Sequence, residues 1–270
     1  MIPAIVPPLT GLSVLVTRPQ PQASALAASI AAFGGDPVVL PALAIEPLEV
    51  VAPDAHDLVI FVSAHAVQHG GRYITKSEST KIAAIGQATA HALATANLPA
   101  DFVPISGSTS EALLEHPLLA TLAVQRVLIV RGEGGREALR EAFTARGATV
   151  TALEVYRRVR ASASTADINA LETRWAEHEI DVVTTTSVDT FIKLTELLTD
   201  RGRELLRATP LLAPTERILD AAREWGWNGE GLVSGGADDA AILGTLARWR
   251  ARARVMPLRT SEGRRTKVPC

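Results

Sequence analysis

Short runs rich in Val, Ile and Leu alternate along the chain with longer, alanine-rich stretches whose apolar positions recur at helical spacing. Runs this short suit strands buried on both faces, and the amphipathic stretches suit helices covering a parallel sheet, so the pattern predicts an α/β fold. Ser13 to Thr17 reads as the first strand, Pro19 or Pro21 suits the first turn of a helix, Leu26, Ile30 and Phe33 form its buried stripe, and Gly34 and Gly35 end it. Further strand candidates are Pro37 to Leu40, Leu58 to Val62, Ile82 to Ile85, Phe102 to Ile105, Arg126 to Val130, Val150 to Val155, Asp181 to Thr185, Pro210 to Ala213 and Gly231 to Val233. Ten strands predict two five-stranded, mostly parallel sheets. Pro41 to Pro53, with three prolines, and the small polar stretch Arg160 to Ala166 read as places where the chain crosses or links lobes.

The second half of the chain copies the first. Leu15-Val16-Thr17-Arg18 and the helix ending at Gly34 reappear 113 positions later as Leu128-Ile129-Val130-Arg131 and a helix ending at Gly147. Asp57 to Ser63 matches Asp181 to Ser187 at an offset of 124, and Lys81 to Leu114 matches Pro210 to Leu243 at an offset of 129. Each copy sets polar groups just after an apolar run, which predicts two similar lobes with rims of hydroxyls, amides and arginines, and a ligand cleft between them.

Composition narrows the function classes. At 270 residues and 47% hydrophobic content the chain can bury two modest cores. There is no run of eighteen apolar residues and no basic stretch opening an export signal, so a cytoplasmic protein without a membrane span is expected. The one cysteine is Cys270, which excludes internal disulfides and Cys-based metal sites. Histidines 56, 65, 69, 91, 116 and 178 read as scattered, without helix-spaced pairs, and no metal is expected. Arg248 to Cys270 carries eight Lys and Arg against one acid, which leaves −9 for the remainder of a chain of net charge −2. Residues 251–270 read as a flexible basic tail; lacking aromatic interleaving beyond Trp249, the segment does not predict nucleic-acid binding.

The sharpest candidate chemistry is Val130-Arg131-Gly132-Glu133-Gly134-Gly135-Arg136-Glu137, between a strand and a helix. Glycines let backbone approach a ligand, a helix start offers free N–H groups, and arginines add bidentate anion recognition. The plain alternative is a glycine turn with solvated arginines. A dinucleotide fingerprint is not met, because position 137 is Glu where G-x-G-x-x-G needs a small residue, and no P-loop lysine is present. Ser63-Ala64-His65 and Thr186-Ser187-Val188 end equivalent strands and read either as hydroxyl ligands or as helix caps. Tyr156, one of two tyrosines, falls after a strand and before Arg157-Arg158, and reads either as a proton donor tuned by positive charge or as a half-buried packing aromatic.

Taken in order, Leu15-Val16-Thr17-Arg18-Pro19, Phe61-Val62-Ser63-Ala64-His65-Ala66-Val67, Ile85-Gly86-Gln87-Ala88-Thr89-Ala90, Val130 to Arg136 and Glu154-Val155-Tyr156-Arg157-Arg158 resemble the uroporphyrinogen-III synthase family. The resemblance runs from about Gly11 to Trp249. Val62, His65 and Thr185 depart from the family's F-T-S-x-N-A-V form, and Ala213-Pro214-Thr215-Glu216-Arg217-Ile218 is similar to the P-x-x-R-I form of some members.

The resemblance implies two α/β lobes joined by a two-strand linker, with residues 1–41 plus 158–250 in one and 42–157 in the other. It implies cofactor-free closure of hydroxymethylbilane to uroporphyrinogen III, with loss of water and inversion of the last ring. Tyr156 would be the proton donor. Substrate contacts would fall to Thr17, Arg18, Ser63, Ala64, His65, Gly86, Thr89, Arg131, Gly132, Gly134, Arg136, Thr186, Ser187, Pro214, Thr215 and Arg217. A monomer with at most transient contact to porphobilinogen deaminase is expected. Two other classes share these features: a non-enzymatic bilobed anion-binding protein, separated by turnover, and a nucleotide-dependent α/β enzyme, separated by a nucleotide titration.

Overall fold

The structure, a computed structural model, describes residues 6–255 except 121, 124 and 136. Arg136, Cys270 and most of the basic tail lie outside the described residues. In chain order the elements begin β1 (Ser13–Val16), α1 (Gln22–Ala32), β2 (Asp36–Val39), β3 (Leu43–Pro47), β4 (Leu58–Phe61), α2 (Ala64–Gly70), β5 (Lys81–Ala84) and α3 (Gln87–Thr95). They continue with α4 (Ser110–Leu114), α5 (Pro117–Ala120), β6 (Arg126–Gly132), α6 (Ala138–Ala145), β7 (Thr149–Arg160), α7 (Thr165–Ala176), β8 (Val182–Thr184) and α8 (Val188–Leu197). The last are α9 (Asp200–Ala208), β9 (Leu211–Ala213), α10 (Glu216–Trp225), β10 (Gly231–Val233) and α11 (Asp239–Val255). The described strands form two sheets of five, ordered β10-β9-β8-β1-β2 and β3-β7-β6-β4-β5. Among the described residues no helix is long and apolar enough to cross a membrane.

The chain divides into two compact units, residues 1–44 with 160–270 and residues 45–159, so the boundaries fall inside β3 and at the end of β7. Each unit mixes the two sequence copies. The first takes β1, α1 and β2 from the early copy and β8 to β10 from the late one; the second pairs β4 and β5 with β6 and β7. Because β1 pairs in parallel with β2 and β8, and β6 with β4 and β7, all these strands in a unit point their C-terminal ends the same way. Both faces of each sheet are covered, which is why the central strands β1, β4 and β6 are almost wholly apolar and buried.

Several expected elements differ, and β7 runs past the expected end at Val155 to Arg160, so that Tyr156 lies inside the strand and not after it. Phe102 to Ile105 is no strand: Phe102 makes a single bridge to Ala83, and Pro104, which has no N–H, ends any ladder there. The fifth strand of that sheet is β3, which forms inside the proline-rich stretch where a simple link was expected. In α1 the buried stripe is Ala23, Leu26 and Ile30, and Phe33 is 41% exposed because the helix stops one residue before it, with Gly34 at φ +84° turning the chain away. Helix α11 carries residues 251–255, the start of the expected tail.

Asp57 and Asp181 are duplicates that lock equivalent strand starts. Asp57 Oδ2 accepts from the Gln125 and Arg126 backbone N–H groups (3.0 and 2.9 Å), and Asp181 Oδ2 accepts from the Ser13 N–H (2.8 Å). The two backbone bonds at Arg126 and Gln125 hold the Asp57 carboxyl below its usual pKa. Asp57→Ala is expected to cost about 0.5 to 1.5 kcal/mol for each bond lost. With a depressed folded pKa, the Asp57 contribution is present above the unfolded value and lost as pH falls through the folded one. Urea unfolding at pH 7 and below pH 4 checks this, with Asp57→Asn flattening the acid decline.

Candidate functional site

In the second unit the chain leaves β4 toward β5 on one side and β6 toward β7 on the other, so the turns that follow β4 and β6 part from each other at neighbouring strand ends. Divergence of this kind opens a crevice at the C-terminal edge of a parallel sheet. A pocket of about 340 Å³ lies there. Gly132, Gly134 and Gly135 form one wall and Ser108, Thr109 and Ser110 another, with Val62, Ile85 and Leu139 as apolar lining and Arg131, Tyr156 and Arg158 as the remaining polar groups. The Ser108–Ser110 wall was missed in the sequence, since three small hydroxyl residues before a short helix read as an ordinary cap. Thr109 does cap α4, accepting from the Ala112 N–H.

Tyr156 is buried, with 1% of its surface exposed, and is the largest fully buried side chain among the described residues. Its hydroxyl lies 3.1 Å from Ser63 Oγ, where either oxygen can donate, and accepts from Arg158 Nη2 at 3.4 Å. The Arg158 guanidinium also sits 5.7 Å from the ring centre. Ser63 is fixed in turn as the N-cap of α2, accepting the Ala66 N–H at 3.0 Å. Gly132 is required by contact: a Cβ there would come within 2.6 Å of two Tyr156 ring carbons.

One helix-spaced histidine pair does exist, contrary to the expectation of scattered histidines. His65 and His69 stand four apart on α2, so helical geometry puts them on one face, with ring centres 6.5 Å apart and 5.8 and 6.0 Å from the Tyr156 ring. The spacing was readable; no third ligand accompanies it, and among the described residues no group of three His, Cys, Asp or Glu is placed to hold a metal. Burial first, then the His69 charge, pushes His65 below the ordinary histidine pKa, against an opposing hydrogen bond to Gln68 and with a further small push from Arg158. Burial and then Arg72 do the same to His69.

Arg131 is the penultimate residue of β6, with its side chain 9% exposed. Its Nη1 donates to Glu137 Oε1 at 2.8 Å and to the Gly135 carbonyl at 3.2 Å, while Nη2 and Nε both donate to Glu154 Oε1 at 3.1 and 3.3 Å. The Arg131 hydrogen bond is the chief reason that Glu137 sits below the usual carboxylate pKa. Gly134 takes φ +68°, the left-handed turn that glycine permits.

Other nominated residues of this unit take less direct places. Gly86 caps α3 against Ser108, where a Cβ would meet the serine Cβ at 2.6 Å; Thr89 is buried on α3; Ala64 opens α2 and faces a separate groove. The residues of the first unit gather at the ends of their own neighbouring strands. Thr17 is buried and donates to the Thr184 carbonyl at 2.6 Å, and Arg18 pairs with Asp239 at 2.7 Å. Ser187 caps α8, with half-buried Thr186 beside it; Pro214 follows β9; Thr215 and Arg217 are exposed at the start of α10.

Below the unfolded histidine pKa of about 6.5, the native fold resists protonation of His65 and His69. Their contribution to stability is therefore present above that value and lost as pH falls through the depressed folded values. Melting temperature should drop between pH 7.5 and 5.5, and His65→Asn should shrink that drop; an equal drop in the variant would show that the pair is not its source.

The uroporphyrinogen-III synthase HemD family matches residues 24–231. The chain is 35% identical to the uroporphyrinogen-III synthase of Salmonella typhimurium over 253 residues and 32% identical to that of Escherichia coli over 249, covering 87% of this chain and 100% of each relative. Solved structures of the synthases from Thermus thermophilus and Helicobacter pylori share the fold, with TM-scores of 0.55 and 0.56 at 21% and 13% identity; they cover 89% and 86% of this chain and 99% and 97% of their own. The chain belongs to the uroporphyrinogen-III synthase family.

Proposed function

We propose that this chain closes hydroxymethylbilane to uroporphyrinogen III, with inversion of the last ring and loss of water, as a step of tetrapyrrole biosynthesis. Family membership supports the reaction. The observation that carries the reading at the level of residues is the Tyr156 hydroxyl, held by Ser63 and Arg158 among the residues that line the pocket at the β4/β6 divergence.

Tyr156 is the proposed proton donor. Its proton goes to the departing hydroxyl, which leaves as water, and the substrate keeps the positive charge as an azafulvene. A substituted carbon of the last ring attacks to give a spiro intermediate, which fragments and recloses with that ring inverted; loss of a ring proton restores neutrality. Arg158, donating to the Tyr156 oxygen, stabilises the phenolate left by the first step. The chemistry draws on the substrate's own reactivity, so the protein's work is to fold the bilane such that direct closure is slower than the inverting route.

The substrate is a polycarboxylate, which suits walls of N–H and O–H donors. Gly132, Gly134, Ser108, Thr109 and Ser110 line the pocket, and Ser63 and His65 adjoin it through Tyr156. Gly86, Thr89 and Ala64 in this unit, and Thr17, Arg18, Thr186, Ser187, Pro214, Thr215 and Arg217 in the other, remain candidates for carboxylate contacts by the resemblance alone. Further expectations are a monomeric cytoplasmic enzyme that needs no cofactor and meets the preceding deaminase only transiently.

With porphobilinogen deaminase feeding fresh hydroxymethylbilane, oxidation and chromatography of the products should show mainly the type III isomer. Only type I product from folded protein would refute the assignment. Tyr156→Phe keeps the ring and removes the proton, and should lower the rate about 10²- to 10⁴-fold with near-normal substrate affinity. Since the bilane loses hydroxide spontaneously, the type III fraction is the better readout. A variant that keeps both rate and isomer ratio would remove Tyr156 as the acid.

A further inference from the structure

We infer that Arg131 is a positioning residue that clamps the glycine loop over Tyr156, and that it does not itself receive a substrate carboxylate. The inference deepens the proposed function and rests on it only for its kinetic readout. All three guanidinium nitrogens of Arg131 donate within its own unit, to Glu137, Glu154 and the Gly135 carbonyl. Although Arg131 lines the pocket, Glu154 and Glu137, the latter also paired with Arg140 at 3.5 Å, already occupy its donors, so a substrate carboxylate would have to displace them.

The same bonds explain the loop. Pairing between β6 and β7 runs in register from Arg126↔Thr149 to Arg131↔Glu154 and then slips, so that Gly132 pairs with Tyr156. Glu154 holds Arg131 on the last residue before the slip; beyond it the Glu133 N–H donates to the Tyr156 carbonyl at 2.8 Å, and Gly132 lies against the Tyr156 ring. Gly135 folds back onto the Arg131 stem, where a Cβ would stand 2.9 Å from Cδ. Glu137 closes the far end of the loop at the start of α6. Arg131 thus fixes both ends of a loop whose first residues, Gly132 and Glu133, lie against the proposed acid, and anion recognition is left to loop N–H groups, the hydroxyl wall and Arg158.

Glu154→Gln, Arg131→Lys and the double variant separate the two roles. Glu154→Gln is isosteric and decides the matter if Arg131→Lys does not fold. A clamp predicts that each single variant lowers kcat about tenfold with KM held within about threefold, and that the double variant is little worse than either, since both act through one geometry. Synthetic hydroxymethylbilane gives these constants. With only Tyr73 and Tyr156 present, ¹³C-ring-labelled tyrosine gives a readout independent of turnover. The Tyr156 ring signals, assigned with Tyr156→Phe, should shift or broaden in both single variants while those of Tyr73 stay in place. Wild-type protein that makes no type III isomer would overturn the proposed function and leave the spectra to judge the clamp. A raised KM at unchanged kcat for Arg131→Lys, with KM unchanged or lowered for Glu154→Gln, would overturn the inference. Unmoved Tyr156 signals in both variants would do so as well.

Discussion

The candidate site depends on where strand β6 stops keeping register with β7. Up to Arg131 the two strands pair residue for residue, with β6 buried on both faces; one step later Gly132 faces Tyr156. The slip leaves Val155 of β7 as the extra residue and lets the Gly132 backbone lie on an aromatic face, which only a residue without Cβ allows. The polar features nearby gather at that slip: the glycine wall, the buried tyrosine, and its hydroxyl beside Ser63 on the adjoining strand end. A β-bulge leaves a backbone unpaired for about one residue, and here the Arg131 bonds to two carboxylates and a carbonyl hold the strand end on either side of it.

Duplication explains why each unit has such an edge. Both sheets have the same core order once the copies are matched, β10-β9-β8-β1-β2 against Phe102-β5-β4-β6-β7, with β3 added beyond β7. Each unit assembles this order from the opening of one copy and the remainder of the other, and the aspartate lock shows the exchange at single residues. Asp57 and Ser13 belong to the early copy, Asp181 and Arg126 to the late one, yet the bonds run Asp57 to Arg126 and Asp181 to Ser13. Equivalent strand starts are secured by the same chemistry across the exchange.

Most of the fold was legible because strand burial on both faces is written as continuous apolar runs, and glycines 34 and 147 mark helix ends by their positive φ. Phe102 misled because an apolar residue at a strand-like position says nothing of the proline two residues on that lacks a donor, while β3 was hidden among prolines that lie at its end and outside it. At the site, the motif positions carried Tyr156, Ser63 and the glycine loop. The partners did not show: Arg131 was read from its charge, and nothing in the order of residues states that Glu154, 23 positions away, is hydrogen-bonded to it. Ser108 to Ser110 escaped for the same reason, since only the fold brings them opposite Gly132.

Charge counting is a poor guide to anion recognition in such a molecule. Arg18 pairs with Asp239 at the first turn of α11, where an acid is also favoured by the helix dipole, and Arg131 sits between Glu137 and Glu154. Two arginines near the C-terminal ends of equivalent strands are thus engaged inside their own units, consistent with a chain acidic outside its C-terminal segment. With the lining Arg131 already paired, what the pocket of the second unit offers an anion is mostly neutral: glycine N–H groups, three consecutive hydroxyl side chains, and Arg158 beside the tyrosine. Neutral donors recognise a carboxylate by direction without a deep electrostatic well. For a flexible substrate that must be folded, held briefly and released, directional contacts fix shape while keeping the product's release fast.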